Sequence, residues 1–371
     1  MSGFEVEVFQ NEYLPSGGTE VNAVVTVSSA GLAGSGGAPD SAEIVIVDTS
    51  GSMDVPRSKI LAAREATAVA IDGIRDGVLF GVIAGNENAR HVYPLGTGLE
   101  PASDHSRSAA KEAAWKLRAR GGTAIGTWLH RANEAFAAAP GRVCHAILLT
   151  DGANQHETRE QLEATLAACE GRFQCDCRGV GTDWEVSELR RIASVLLGSV
   201  DIIADPAHMA ADFRSMTEVA MGKTTGSVSL RIWTPQGARV KYVRQVAPTI
   251  EELTDRAAAA NPLSADYPTG SWGEESRDYH VCIEVPAHQV GDEMLAGRIS
   301  LVQGEEVLSQ GRIKAIWTND EQLSTQINRR VAHYTGQAEL AECIQEGLAA
   351  RKIGDAVTAT FKLGCAVQLA V

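Results

Sequence analysis

Glu43-Ile44-Val45-Ile46-Val47, running directly into Asp48-Thr49-Ser50-Gly51-Ser52-Met53, is the stretch that decides the fold. Its first five residues are mostly apolar and β-branched, the pattern of a short strand covered on both faces. From about Pro56 the period becomes helical, with Ile60, Ala63, Thr67, Ala70 and Ile74 on one stripe and Pro56 suited to a first turn. A strand pair follows at 77–84 and 90–95, turning at Asn86-Glu87-Asn88, then helical stretches near 105–119 and 125–138. Residues 143–149 read as a second buried strand, followed by helix 158–170, strand 174–180, helix 185–196, strand 200–203 and helix 206–221. Alternation of this kind predicts an α/β fold, a doubly wound and mostly parallel sheet with helices on both faces.

Outside that block the pattern is β. Phe4, Val6 and Val8 alternate, and Val21, Val24, Val25 and Val27 form a second run beyond the turn Pro15-Ser16-Gly17-Gly18. Gly31 to Gly37, with Pro39, reads as a linker. After Gly222, Val228, Leu230 and Ile232 alternate with polar residues, and runs at 240–243, 280–285, 299–302 and 313–317 complete an antiparallel set. The acidic stretch 249–276 is expected to be loop with a short helix. From about Asn319 the period is helical again, with Ile327, Val331, Tyr334, Ala338 and Ala341 on one face, then Val357, Phe361, Cys365 and Leu369 on another helix. The expected organisation is therefore N-terminal β-sandwich strands at 1–38, the α/β domain at 39–222, the remaining sandwich strands at 223–318 and a helical region at 319–371. Because the last helix runs to Val371 without a capping residue, a longer native chain is expected.

At 371 residues the chain is too long for one typical core. It has no apolar run of the roughly 18–20 residues a bilayer span needs and no basic, apolar start of a secretion signal, so a cytoplasmic location is expected. A net charge of −14 repels phosphate backbones, which argues against nucleic acid as a partner. Cys169, Cys175 and Cys177 cluster without a C-x-x-C pair, so the seven cysteines are read as reduced, mostly buried thiols.

The chemistry lies where strands end. Asp48-Thr49-Ser50-Gly51-Ser52-Met53 follows one buried strand, Thr150-Asp151-Gly152 follows another, and Gly121-Gly122-Thr123 opens a helix. In an open parallel sheet such loops converge outside the carboxyl ends of the strands. Asp48, Ser50, Ser52, Thr123 and Asp151 would then offer two carboxylates and three hydroxyls, all hard oxygens. That set selects Mg²⁺, with Mn²⁺ or Ca²⁺ as alternatives, over zinc or copper. The D-x-S-x-S spacing lets alternate residues of a tight loop face one point, and a position left open would suit an Asp or Glu from a protein partner.

These motifs resemble the metal-ion-dependent adhesion site of von Willebrand factor A domains. The residues that carry the resemblance are Ile46-Val47-Asp48-Thr49-Ser50-Gly51-Ser52-Met53, Gly122-Thr123 and Leu149-Thr150-Asp151-Gly152. Gly179-Val180-Gly181-Thr182-Asp183, with Leu189 and Ile192, is similar to the family's late strand–helix junction. The resemblance spans roughly 42–221 and implies ligation by the hydroxyls of Ser50, Ser52 and Thr123, with Asp48 and Asp151 acting directly or through water. It also implies a protein-binding adaptor of the bacterial intracellular type and not an enzyme. The flanking strands match family members whose α/β domain is inserted in a β-sandwich by layout alone.

Other readings carry different marks. Asp and Ser also cluster at helix N-caps. A dehalogenase-type acyl-phosphate enzyme needs a second Asp where Ser50 stands, a serine hydrolase wants G-x-S-x-G, and no phosphate-binding G-x-x-x-x-G-K-[ST] occurs. A metal-assisted phosphoester hydrolase at the same site would need a general base, for which only Asp151 offers itself. A third reading has the ion merely stiffening loops. The nine histidines are scattered and read as surface or satisfied residues, Asp183 and Trp184 as cap and staple of the next helix, and Asp54 and Arg57 as solvated rim charges.

Overall fold

The computed structural model describes residues 3–31, 41–181, 186–324, 328, 330, 331, 333, 334, 343, 346–348, 350, 351 and 353–370. It divides into two compact units. One comprises Met1–Ala30, Ser229–Pro268 and Glu275–Val371, the other Gly31–Val228 with Thr269–Glu274.

In the first unit, β1 (Phe4–Gln10), β2 (Tyr13–Pro15) and β3 (Glu20–Ser29) precede the α/β segment in the chain. That segment runs β4 (Ser41–Asp48), α1 (Ser58–Gly73), β5 (Leu79–Gly85), β6 (Ala89–Tyr93), β7 (Glu100–Pro101), α2 (Asp104–Ala114) and α3 (Ile125–Phe136). It continues with β8 (Val143–Thr150), α4 (Arg159–Cys169), β9 (Gln174–Val180), α5 (Val186–Val195), β10 (Val200–Ile203) and α6 (Met209–Gly222). After it come β11 (Thr225–Trp233), β12 (Arg239–Ala247), β13 (Glu251–Glu252), β14 (Ala258–Asn261), β15 (Ser264–Trp272), β16 (Ser276–Glu284), β17 (Glu293–Gln303) and β18 (Glu306–Thr318). The flanking strands form a five-stranded sheet, β1-β3-β16-β12-β13, and a six-stranded one, β14-β15-β11-β17-β18-β2. Strands from both sides of the segment share each sheet, as where β3 pairs antiparallel with β16. The two sheets pack on each other where Gly311 of β18 leaves room for Val6 and Val8 of β1, and Gly297 of β17 for Ile283 of β16.

Two expectations fail here. The 249–276 stretch is not loop with a short helix: around one 3₁₀ turn it builds β13, β14 and the whole of β15. Its strand signal is masked by the small, exposed Ala258-Ala259-Ala260, while a turn closed by the Leu263 amide on the Asn261 side chain (3.0 Å) sets up the β14–β15 hairpin. In the helix Ala356–Ala370, Val357 and Phe361 are exposed and Ala359 and Ala366 are buried. This helix is apolar nearly all round, so periodicity did not single out its inner face. Of the face proposed before it, Val331 is buried, whereas Ile327, Ala338 and Ala341 lie outside the described residues.

The α/β unit holds the sheet β10-β9-β8-β4-β5-β6, parallel except for β6, with β7 pairing on β5. All eight residues of β4 are buried. Val45 and Val47 pack into one layer with Ile60 of α1, Ala110 of α2 and Phe213 of α6. Ile44 and Ile46 pack into the other with Trp128 of α3, Leu166 of α4 and Ile192 of α5. Each such side chain contributes about 1.5–3 kcal/mol on burial, which explains why a run with no polar face can only be a central strand. Small residues set the closest approaches. A Cβ at Gly73 would lie 2.9 Å from Thr217 of α6, and one at Gly85 would lie 2.2 Å from the Trp128 ring. Gly85→Ala is therefore expected to destabilise the unit by about 1–3 kcal/mol in a urea titration, since the indole is pinned by its Nε1 bond to the Asn86 carbonyl (2.7 Å).

Near the amino ends of β4, β8 and β9, His145 bridges two carboxylates. Its Nδ1 lies 2.9 Å from Glu43 Oε1 and its Nε2 3.0 Å from Asp176 Oδ2. Burial alone would lower the imidazole's pKa, but the two carboxylates override it and raise it to about 10. Asp176 is raised by burial, yet His145 and the Ser199 amide and hydroxyl hold it well below the ordinary carboxylate range.

All seven cysteines are free thiols, six of them buried. No helix among the described residues is long and apolar enough to cross a membrane.

Candidate metal centre

Strands β4 and β8 are parallel neighbours, with Val47 opposite Leu149, so Asp48 and Thr150 emerge side by side. The chain leaves β4 toward β5 and later returns through β8 on the other flank. This is where strand order reverses and a crevice opens at the carboxyl ends.

Asp48 is fully buried there. Its Oδ1 accepts from the Ser50 amide (2.7 Å) and its Oδ2 from the Thr150 hydroxyl (2.6 Å). Burial raises its pKa to about 6, against the pull of those hydrogen bonds. A carboxylate so enclosed, with only neutral donors, is short of positive charge. The Ser50 and Ser52 hydroxyls are 2.9 Å apart, and Ser52 donates to Asp151 Oδ1 at 2.6 Å. Four of the five expected donors thus form one hydrogen-bonded chain. Thr123 joins them across Gly152, where a Cβ would lie 3.5 Å from Ser52 Oγ and 3.6 Å from Thr123 Oγ1.

The backbone explains why the loops meet. Thr49 donates both its amide (2.7 Å) and its hydroxyl (2.9 Å) to the Gly85 carbonyl. The Gly51 amide donates to the Gly121 carbonyl at 2.9 Å and the Arg120 amide to the Thr49 carbonyl at 2.7 Å. On the far side, the Gln155 and His156 amides donate to the Thr123 carbonyl at 3.0 and 2.9 Å. Asn154 and Glu157 accept from the amides of Ile125 and Gly126, which are first-turn groups of α3 with no intrahelical partner.

Two participants went unread in the sequence. Lys59, buried on α1, donates its ammonium to Asp151 Oδ2 at 2.7 Å. Its signal was positional: 59, 63, 66 and 70 share the helix's inner face, an odd place for a lysine unless paired. His156 accepts from the Thr123 amide at 3.2 Å, and its ring fills the space where a Gly122 Cβ would lie at 1.8 Å. Nothing in the spacing of a lone histidine announced that.

The capping alternative is not met. Ser50 precedes the 3₁₀ turn Gly51–Asp54 without a side-chain capping bond, and α1 starts behind Arg57, also without one. The donor set suits a hard divalent ion: clustered oxygens, two buried carboxylates and a glycine cradle. No group of three or more His, Cys, Asp or Glu side chains able to hold a metal occurs among the described residues, so a thiolate or imidazole site is not what is built. Asp54 and Arg57 are exposed at the rim, and Asp183 and Trp184 lie outside the described residues.

Residues 42–202 match the von Willebrand factor type A domain family. The whole chain aligns with the solved structure of a von Willebrand factor type A chain from Catenulispora acidiphila, 51% identical, covering 86% of that chain with a TM-score of 0.94. The ArnB paralog VWA2 of Sulfolobus acidocaldarius shares the fold at 13% identity, over 99% of this chain and 90% of its own, with a TM-score of 0.62. An uncharacterized Synechocystis protein, sll0103, is 30% identical over 216 residues, 57% of this chain. The chain spans about half (49%) of that curated relative's length.

Proposed function

The chain belongs to the von Willebrand factor type A family, and on that premise we propose that it is an adaptor that captures a protein partner. Domains of this family are commonly interaction modules and not enzymes. In our reading Asp48, Ser50, Ser52, Thr123 and Asp151 hold Mg²⁺ in a cytoplasmic protein, a compartment that suits seven free thiols. A divalent cation bound there would offer an exchangeable coordination position to an outside Asp or Glu.

The observation that carries this reading is the pair of fully buried carboxylates set among converging hydroxyls at the sheet's switch point. Charge counting supports it further. Asp48 and Asp151 carry −2 and Lys59 +1, so the protein contributes −1, and a divalent ion would leave the site at +1. Without Lys59 the same sum is zero, so the lysine favours an anionic visitor. The hydrolase alternative wants a poised base; His156 is committed through Nδ1 to the Thr123 amide, and Asp151 is held by Ser52 and Lys59.

Asp48→Asn, which keeps the side chain's shape, tests the reading. The unmodified protein should gain about 2.7 kcal/mol of stability at Mg²⁺ a hundredfold above Kd, and the variant should gain almost none while remaining folded. Pull-downs with Mg²⁺ and with EDTA should differ for the unmodified chain only. Partner capture indifferent to EDTA would reject the adaptor reading, and sustained Mn²⁺-dependent phosphoester turnover lost in Asp48→Asn would replace it with the hydrolase.

A further inference from the structure

A cleft of about 640 Å³ opens in the α/β unit between the start of α1 and the connection after α2. It is lined by Arg57, Arg64, Lys116 and Arg118, with Trp115 and one acid, Asp54. Four cations beside one carboxylate reverse the sign of a chain whose net charge is −14. None of the four makes an ion pair among the described residues; Arg64 donates to the Leu117 carbonyl, which ties the two walls together. Exposed basic side chains alone mean little, since most simply face water. Here they line one open cleft with a half-exposed tryptophan (49%), and Trp and Arg are the residue types that dominate interface energetics.

The cleft's walls lead into two of the site's loops. The first wall begins at Asp54, two residues after Ser52. The second runs on through Arg120, whose amide bonds the Thr49 carbonyl, to Thr123. The basic surface is therefore continuous in the chain with two of the loops that carry the candidate donors.

We propose that the cleft is a second subsite for the same protein partner and takes acidic residues flanking the carboxylate that meets the cation. Arg57 to Arg64 spans two helical turns, about 10 Å, or about three residues of extended chain. The partner segment is thus an acidic run in which the coordinating residue has further Asp or Glu within about three or four positions. The cleft supplies salt-sensitive steering and selection among carboxylates, while the metal loop supplies the anchor.

The inference rests on the cation-site reading, and the test separates the two. Dye-labelled hexaglutamate and a Gly/Ser hexapeptide carrying one Asp are titrated into the full chain by anisotropy, in Mg²⁺ and in EDTA. Hexaglutamate should bind about tenfold or more tightly, and Arg57→Glu with Arg118→Glu should erase that preference while weakening the single-Asp peptide far less than hexaglutamate. Both positions are exposed, and circular dichroism verifies that the fold is kept. Equal affinities in the unmodified chain, a preference that survives charge reversal, or binding of neither peptide would overturn the proposal. Displacement of hexaglutamate by tripolyphosphate at far lower concentration than by unlabelled hexaglutamate would overturn it in favour of a phosphorylated ligand. Single-Asp binding unchanged by EDTA would instead sink the cation reading, leaving the cleft to be judged by the charge-reversed variant alone.

Discussion

Replacing His145 with alanine is expected to cost the α/β unit about 3–5 kcal/mol, the range for breaking a buried ion pair from one side. The imidazolium bridges Glu43, which is 1% exposed, and Asp176, and its removal leaves Glu43 without its cation and Asp176 with only the neutral Ser199 donors. Urea unfolding followed by circular dichroism measures the loss. A change below about 1 kcal/mol would show that the triad is not held as an ion pair, since surface-like pairs contribute no more than that. Neutralising all three groups together (Glu43→Gln, His145→Gln, Asp176→Asn) should recover much of the deficit, because what hurts is the stranded charge. The same triad sets a pH dependence. His145 titrates near 10 when folded against 6.5 as its ordinary value. Its contribution is complete below about pH 6.5 and is lost as pH climbs toward 10. Asp176 is depressed, so its share is present above the usual carboxylate range and is lost in acid. Alkaline destabilisation should flatten in His145→Ala.

Lys59→Met should produce the second large effect, and one that depends on solution composition. In metal-free buffer the variant keeps Asp48 and Asp151 buried in one site with no cation, and an apparent loss of about 3–5 kcal/mol is expected. Mg²⁺ should then rescue the variant more than it stabilises the unmodified chain, because the ion no longer competes with an ammonium for Asp151 Oδ2. Thermal melts of both chains with EDTA and with Mg²⁺ give the four numbers needed. If Mg²⁺ restores nothing, the oxygens are not a cation site. If metal-free Lys59→Met melts with the unmodified chain, the ammonium is not what balances Asp151.

The sheet was legible because its strands announce themselves. Strands β9 and β10 occupy the stretches read from sequence, 174–180 and 200–203, and β4 is an apolar, β-branched run that no surface element could contain. The candidate donors were legible for a related reason: each sits in a contiguous motif at a strand or helix boundary. What escaped is chemistry assembled across elements. Lys59 reads as an ordinary helix residue until Asp151 is found 2.7 Å away, and Glu43, His145 and Asp176 are 102 and 31 residues apart in the chain. The terminal helix itself was legible, but its inner face escaped for the opposite reason, since an element apolar nearly all round carries little phase.

The way the loops are fastened has a kinetic consequence. Asp48 and Asp151 are fixed to the ends of central strands, whereas Ser52 and Thr123 sit on loops joined to each other by two backbone bonds, Gly51 amide to Gly121 carbonyl and Arg120 amide to Thr49 carbonyl. Entry and escape of an ion should therefore be gated by unfastening those loops, leaving the sheet undistorted. The Gly51 amide proton becomes a natural reporter: its solvent exchange should be quick when the loops gape and slow once they are clamped, at a pace set by that opening and not by global unfolding.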